Sequence, residues 1–201
     1  MSHPKHASSE HDILDVIRRR WSPRAFDPAR EVAPADLRTM FEAARWAPSS
    51  YNEQPWRFVV VDRIRTPDAF SGMVATLHAN NEGWARHAPV LVLVAINTRL
   101  TRTGGVNQAA AYDAGQAVGF LTLQATNLGL AVRQMEGFDR AAARAACGIP
   151  ADYEPIVTMA VGYAGDPGAL VVERYRTAET TPRQRVPVGE FVFEGVWGRK
   201  L

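Results

Sequence analysis

Arginine residues are grouped at two distant places in the chain. The first group is residues 18–20 with Arg24, around Ser22, and the second is Arg183 with Arg185. A guanidinium keeps its charge at any relevant pH and presents a planar fork that suits phosphate oxygens. Of the 23 basic residues, 21 are Arg and two are Lys, and most of the other arginines are scattered among acids. Binding of an anion is the chemistry that the two groups could perform.

Several common active sites are excluded because their spacing is missing. The chain has no G-x-G-x-x-G after a strand, no P-loop, no H-E-x-x-H and no G-x-S-x-G. The single cysteine, Cys147, cannot form an internal disulfide and is most simply a small side chain in an Ala-rich helix. His3, His6 and His11 could chelate a metal, but they stand in a polar terminus that we expect to be flexible, over residues 1–11. No metal site is predicted.

Length and composition favour one soluble domain over residues 12–201, with a C-terminal extension from about residue 166. The chain has 201 residues, 46% hydrophobic, and a formal net charge of +2, so disorder is disfavoured. The longest apolar run, Ala88 to Ile96, is about half of the ~18 residues that a membrane-spanning helix requires. The first twelve residues lack the pattern of a secretory signal, so a cytoplasmic location is expected.

Hydrophobic periodicity predicts alternating helices and strands, which indicates an α/β or α+β sandwich. Val90 to Ile96 is a β-branched and Leu run suited to the centre of a sheet. The longest helix, about 109–131, is apolar on most sides, so a partner subunit could cover part of it. Helices are predicted at about 12–20, 34–47, 67–78, 109–131 and 139–147, and strands at 56–61, 90–96, 130–134 and 156–161.

Four fragments occur in one order along the chain and together resemble the flavin-dependent nitroreductase family. They are RWSPRAF at 20–26, PSSYNEQPW at 48–56, EGFD at 136–139 and RQR at 183–185. Each fragment alone is weak, but the four in register span essentially the whole chain. The resemblance implies an α+β, nitroreductase-like sandwich: a central mixed sheet flanked by helices, with a C-terminal arm exchanged in a homodimer.

The resemblance implies that four residues bind the phosphate of flavin mononucleotide (FMN): Arg20, Ser22, Arg183 and Arg185. A phosphate monoester carries about −1.5 to −2 charge, which requires fixed cations and hydroxyl donors. Judged from the residues alone, Arg20 would be a surface charge favoured by a helix C-terminus. Many relatives have Arg where this chain has Trp21, so Trp21 either flanks the pocket or packs near the dimer seam.

Arg24 matches the family residue at the N1 and C2 carbonyl edge of the flavin ring. Reduction places negative charge there, so a nearby cation stabilises the reduced ring. Two unit charges 4 Å apart interact by about 4 kcal/mol at an effective dielectric near 20. The competing interpretation makes Arg24 a structural partner of Asp27 or Asp36.

The remaining predicted cofactor contacts come from three other places in the chain. The PSSYN segment would meet the ring, usually that of the other subunit, and the backbone at 136–137 would donate to flavin N5. An acidic residue on the long helix could touch the ring or satisfy core polarity within its own subunit. The residues concerned are Pro48, Ser49, Ser50, Asn52, Asp113, Glu136 and Gly137.

The function implied is NAD(P)H-dependent oxidoreduction, with FMN bound at the interface of a homodimer. NADH or NADPH would deliver hydride to flavin N5 in a ping-pong cycle, and nitroaromatics or quinones would be acceptors. No catalytic side chain is assigned. The alternatives are a family member specialised for aldehyde or enone reduction and a non-catalytic flavin- or small-ligand-binding protein. A nucleic-acid partner is not expected, because the arginines form no long basic stripe.

Overall fold

A computed structural model describes residues 3–201 and shows an α+β arrangement. The helices are α1 (Asp15–Arg19), α2 (Pro34–Arg45), α3 (Pro67–Ala75), α4 (Ala79–Ala85), α5 (Ala110–Asn127), α6 (Arg140–Cys147) and α7 (Glu173–Thr180). The strands are β1 (Trp56–Asp62), β2 (Val90–Asn97), β3 (Ala131–Met135) and β4 (Tyr153–Gly162). Short 3-10 helices lie at Ser50–Asn52, Pro167–Ala169 and Val188–Glu190.

The four strands form one sheet in the order β1-β2-β4-β3. All three pairings within the chain are antiparallel, from Trp56 opposite Ile96 at one edge to Met135 opposite Thr158 at the other. The expectation of a mixed sheet is therefore wrong for the single chain. The connection from β2 leads past one position to β3, which runs in the same direction as β2, and β4 then lies antiparallel between the two, so no parallel neighbours are formed.

Strand β2 lies at the centre of the sheet, as its unbroken apolar run predicted. Its alternate residues point to two separate cores. Val92 and its even-numbered neighbours pack against α2 and α5, whereas Leu91 and Leu93 pack on the side of α3 and Trp84. Helices therefore cover both faces of the sheet, and the β3 edge remains near the irregular segment that follows α1.

The caps of α6 agree with the sequence. The Asp139 carboxylate accepts a hydrogen bond from the N–H of Ala142 at 2.9 Å, and Gly148 ends the helix with φ of +61°. The helix predicted at 109–131 begins and ends further inward, as α5, and leaves Tyr112 and Phe120 exposed. Within residues 3–201, no helix combines the length and apolarity needed to cross a bilayer.

Three predictions need correction. The first helix was predicted at 12–20 but is only Asp15–Arg19, and it buries none of its residues. Helices α4 and α7 were not predicted. Helix α7 lies in the segment expected to be an irregular tail, and its mostly polar sequence ERYRTAET gives no apolar stripe.

Candidate functional site: a cationic cleft

Residues from both ends of the chain meet in a cleft of about 200 Å³. Six cationic side chains and one carboxylate line it, together with Trp21, Ser22 and Ala178. The cations are Lys5, Arg20, Arg24, Arg133, Arg183 and Arg185, and the carboxylate is Glu179. The structure thus brings together all six residues that the first and last motifs contributed to the predicted FMN site, four of them assigned to the phosphate. Such an excess of positive charge in one concave place is suited to an anion.

Arg183 fastens the C-terminal segment to the chain that follows α1. Its Nη1 donates to the carbonyl oxygen of Arg20 at 2.7 Å, and its Nη2 donates to that of Arg18 at 2.9 Å. Arg20 in turn donates from Nη1 to Ser22 Oγ at 3.0 Å. Arg20 is half-buried at the end of α1 and lines the cleft. These contacts join the two arginine groups directly.

Glu179, on α7, is the acidic residue of the cleft and is only 3% exposed. Its carboxylate accepts the backbone N–H of Arg24 at 3.0 Å and that of Ala25 at 3.4 Å. Lys5 holds the end of the same helix, because its ammonium donates to the carbonyl oxygens of Ala178 and Thr181. Helix α7 therefore positions the backbone on which Arg24 is carried.

Burial and mutual repulsion disfavour the charged forms of the cleft cations. Burial lowers the pKa of Arg20, and the neighbouring Arg185 lowers it further. The pKa of Arg183 is lowered by burial and then by Arg20 and Arg185. For Arg133, burial and the nearby Arg24 lower the pKa to about 10. An anion in the cleft would relieve this repulsion.

Arg24 lies at the boundary between the cleft and a second depression. Besides Arg24, the second depression is lined by Asn80, Asn81, Arg174, Tyr175 and Ala178. Its guanidinium stands 4.5 Å from the centre of the Tyr175 ring. In the described part of the chain Arg24 forms no ion pair with Asp27 or Asp36, so the structural interpretation of Arg24 is wrong.

Gly137 follows β3 and borders this second depression through Asn81. Its carbonyl oxygen accepts the N–H of His78 at 3.1 Å and Asn81 Nδ2 at 3.0 Å. A Cβ at position 137 would lie 2.8 Å from Asn81 Nδ2, so a side chain would not fit without movement. Glu136 is exposed. The backbone here is fixed tightly, which suits a role of the main chain rather than of the Glu136 side chain.

The PSSYN segment lies apart from the cleft, and none of its residues is in the cleft lining. Asp113 is buried and accepts the N–H of Ser50 at 3.0 Å, so it satisfies polarity within its own chain. Tyr51, Asn52 and Gln54 have φ values of 52°, 56° and 45°. Non-glycine residues in this region are strained, and such strain is concentrated at functional sites. Pro48, Asn52 and Tyr51 are exposed.

Three charged residues of the cleft were missed by sequence reasoning. Arg133 offered a signal, because it interrupts the apolar strand pattern with a charge. Lys5 is one of only two lysines, but it stands in a segment expected to be flexible. Glu179 belongs to a helix that was not predicted. The mobility of residues 1–11 stays a prediction, although Lys5 is buried in the structure.

A family model described as "Nitroreductase family" matches residues 17–163. The chain belongs to the nitroreductase family. This confirms the resemblance that the four fragments indicated, and it covers most of the chain. Residues Lys5, Glu179, Arg183 and Arg185 lie outside the matched range, so the cleft combines the family core with the two flanking segments.

Known relatives agree with this membership. An oxidoreductase structure containing FMN superposes with a TM-score of 0.88 at 29% identity, over the full length of both chains. A 15.4 kDa uncharacterised protein of Mycolicibacterium smegmatis is 33% identical over 67% of this chain and 88% of its own length. The major NAD(P)H-flavin oxidoreductase of Aliivibrio fischeri is 28% identical over 46% of this chain. That match spans only 42% of the Aliivibrio protein, less than half of its length.

Proposed function

We propose that this nitroreductase-family protein is an FMN-dependent oxidoreductase that uses NADH or NADPH. The observation that carries the proposal is the cationic cleft, in which six cations surround one carboxylate. A phosphate monoester brings about −1.5 to −2 charge and three acceptor oxygens, which matches this surplus of donors. The relatives named for flavin or FMN support the same cofactor.

The residues of the cleft fit the phosphate on direct structural grounds. The buried Nε atom of Arg183 has no hydrogen-bond partner among residues 3–201. Unpaired buried donors are costly, and an anion would satisfy them. Arg20, Ser22, Arg183 and Arg185 would hold the phosphate. Trp21 flanks this end of the cleft, where its ring lies 5.9 Å from the ammonium of Lys5.

The ring of the cofactor would extend from Arg24 toward Gly137, along the depression that contains Asn81. When bound, FMN supplies a ring that accepts hydride from the nicotinamide and then passes electrons to a separate acceptor, in a ping-pong cycle. Arg24 would stabilise negative charge on this ring, and the main chain at 136–137 would face N5. Electron-poor nitroaromatics or quinones are the proposed acceptors, because planar rings can stack on an exposed flavin face.

A homodimer is part of the same proposal. The exposed PSSYN segment would complete the site of the partner chain, which accounts for its distance from the cleft of its own chain. Apolar side chains that need cover are exposed on α5 and on the C-terminal segment. They are Tyr112, Phe120, Phe191, Val196 and Trp197, the last of which is 90% exposed.

The test is an absorption spectrum of the purified protein, recorded anaerobically with FMN before and after each reduced nicotinamide is added. Bleaching of the bound flavin, followed by recovery with a nitroaromatic or a quinone, is the expected result. If the flavin absorption recovers only with an aldehyde or an enone, the protein is the alternative family member specialised for aldehyde or enone reduction. A flavin that binds but is never bleached would show a binding protein without turnover and would contradict the proposal.

A further inference from the structure

Arg133 enters the cleft from strand β3 and is not part of any of the four family-like fragments. Its Nη1 donates to the carbonyl oxygen of Ser22 at 2.6 Å, and its guanidinium lies 5.3 Å from the centre of the Trp84 ring. Its Nε is buried without a hydrogen-bond partner in the described chain. No carboxylate of residues 3–201 forms an ion pair with it. The Glu179 carboxylate acts on this guanidinium from within the cleft, but its hydrogen bonds go to backbone N–H groups rather than to Arg133.

The arginines of the cleft divide into two sets, and Lys5 is influenced by a member of each, Arg183 and Arg24. Arg20, Arg183 and Arg185 influence one another, and the backbone contacts of Arg183 join it to the end of α1. Arg133 instead has Arg24 as its strongest charged neighbour. We call Arg24 and Arg133 the inner pair. Glu179 binds the backbone N–H of Arg24, but it forms no ion pair with either guanidinium in the part of the chain described.

Arg24 lies on the side of the cleft that continues toward Gly137, and Arg133 stands on β3, the strand that Gly137 follows. Arg24 lines both the cleft and the second depression. Of these two, Arg183 and Arg185 line the cleft alone. Two guanidinium groups that repel each other at this place favour a ligand that gains negative charge there. The oxidised ring of a flavin is neutral and its reduced ring gains negative charge.

We propose that Arg133 is a second cation, in addition to Arg24, that stabilises the reduced form of the bound flavin. Arg133 is thus a residue that sets the reduction potential, whereas Arg183 and Arg185 hold the phosphate. This inference rests on the proposed FMN-dependent function. It predicts that loss of the Arg133 charge weakens binding of reduced FMN more than binding of oxidised FMN.

The experiment measures the midpoint potential of bound FMN and the affinity for oxidised FMN in Arg133→Gln, Arg133→Lys and the wild type. Glutamine removes the charge and keeps an amide donor. Arg176→Gln is the matched control. Arg176 also donates to backbone carbonyls, those of Leu170 and Val171, and it lies outside the cleft lining.

For Arg133→Gln we expect the ratio of affinities for reduced and oxidised FMN to fall about tenfold, which is about 30 mV for a two-electron couple. Arg133→Lys should restore most of the wild-type potential, and Arg176→Gln should leave the potential unchanged. A wild-type potential in Arg133→Gln that still binds FMN would overturn the inference. Equal shifts in Arg133→Gln and Arg176→Gln would overturn it as well, because a general structural effect would then suffice. A wild-type protein that binds no FMN would instead refute the proposed function.

Should Arg133→Gln fail to fold, Arg133→Lys keeps the inference testable. Lysine preserves the charge but moves it, so the lysine variant should bind oxidised FMN within about threefold of the wild type and show a residual fall in potential well below the ~30 mV expected for Arg133→Gln. An unchanged potential together with weaker binding of oxidised FMN would assign Arg133 to the phosphate and contradict the proposal.

Discussion

At the scale of residues, the cleft is built from cations that have little else to neutralise them. Arg183 shows how one residue can serve two purposes. Its two Nη atoms bind the carbonyl oxygens of Arg18 and Arg20, while its Nε stays buried without a partner in the described chain. Removing this side chain would therefore break the contacts that hold the C-terminal segment to the end of α1, and it would also remove a donor to an anion.

Replacement of Arg183 and Arg185 together by Ala tests the phosphate assignment. Charge-assisted hydrogen bonds contribute about 1.5–3 kcal/mol each, so loss of two should weaken FMN binding about hundredfold or more. Titration of the apoprotein by flavin fluorescence measures this. The control is Arg140→Ala with Arg199→Ala, which removes equal charge from two surface ion pairs. An equal loss of FMN affinity in the two double variants would argue against a specific phosphate site.

A second residue-scale prediction concerns pH. Hydrogen bonds from the hydroxyl and the backbone N–H of Thr101 lower the pKa of Glu53 below its usual 4.5. A carboxylate with a lowered pKa stabilises the fold above its unfolded-state pKa, and this contribution is lost as the pH falls through its folded-state pKa. Thr101→Val should lower the melting temperature at pH 7 slightly, and the difference should vanish at low pH.

Melting curves of Thr101→Val between pH 7 and pH 3 check this prediction. Thr39→Val is the control, because Thr39 donates its hydroxyl to the carbonyl oxygen of Ala35 rather than to a carboxylate. Its effect should not change with pH. A deficit in Thr101→Val that is constant down to pH 3 would contradict the assigned cause.

At the scale of elements, caps and apolar patterns carried most of what the sequence could predict. Helix α6 was recognisable from Asp139 and Gly148, and strand β2 from its apolar run. Helix α7 was not recognisable, because it is held by two polar contacts with distant residues: Glu179 with the backbone of Arg24, and Lys5 with its C-terminal carbonyls. Such contacts leave no periodic trace in a sequence.

Contacts between residues that are distant in sequence also limited the prediction of the site. The motif arginines were found because they are close together in sequence, whereas Arg133 and Lys5 join them only through the fold. The PSSYN segment was expected to meet the flavin ring of the other subunit, and within this chain it is absent from the cleft lining. That expectation came from the family resemblance, because the spacing of residues within one chain does not reveal a partner chain.

Asp139→Ala tests the assignment of the α6 cap. Loss of the bond from Ala142 N–H should lower the free energy of unfolding by about 1 kcal/mol. For a chain of this length the melting temperature should fall by about 2–4 °C. Asp139→Asn keeps an acceptor oxygen and should retain most of the stability. Equal losses in the two variants would show that the negative charge, rather than the hydrogen bond, is what matters.

At the scale of the whole molecule, the proposed dimer should be sensitive to the exposed apolar side chains of the C-terminal segment. Phe191→Asp with Trp197→Asp places two charges on that surface. Light scattering after gel filtration should change from about twice the chain mass of 22.1 kDa to the mass of one chain. Ile64→Asp, at an exposed apolar residue elsewhere, should leave the larger mass. A wild-type protein of single-chain mass would contradict the dimer.

The central claim is that cations from both ends of the chain grip the phosphate of FMN. Riboflavin has the same ring and ribityl chain but lacks the phosphate, so comparing the two ligands isolates that contact. Titration of the apoprotein at low salt should show FMN binding at least about hundredfold more tightly than riboflavin, with a gap that narrows as salt is added. Equal affinities for FMN and riboflavin would contradict the account.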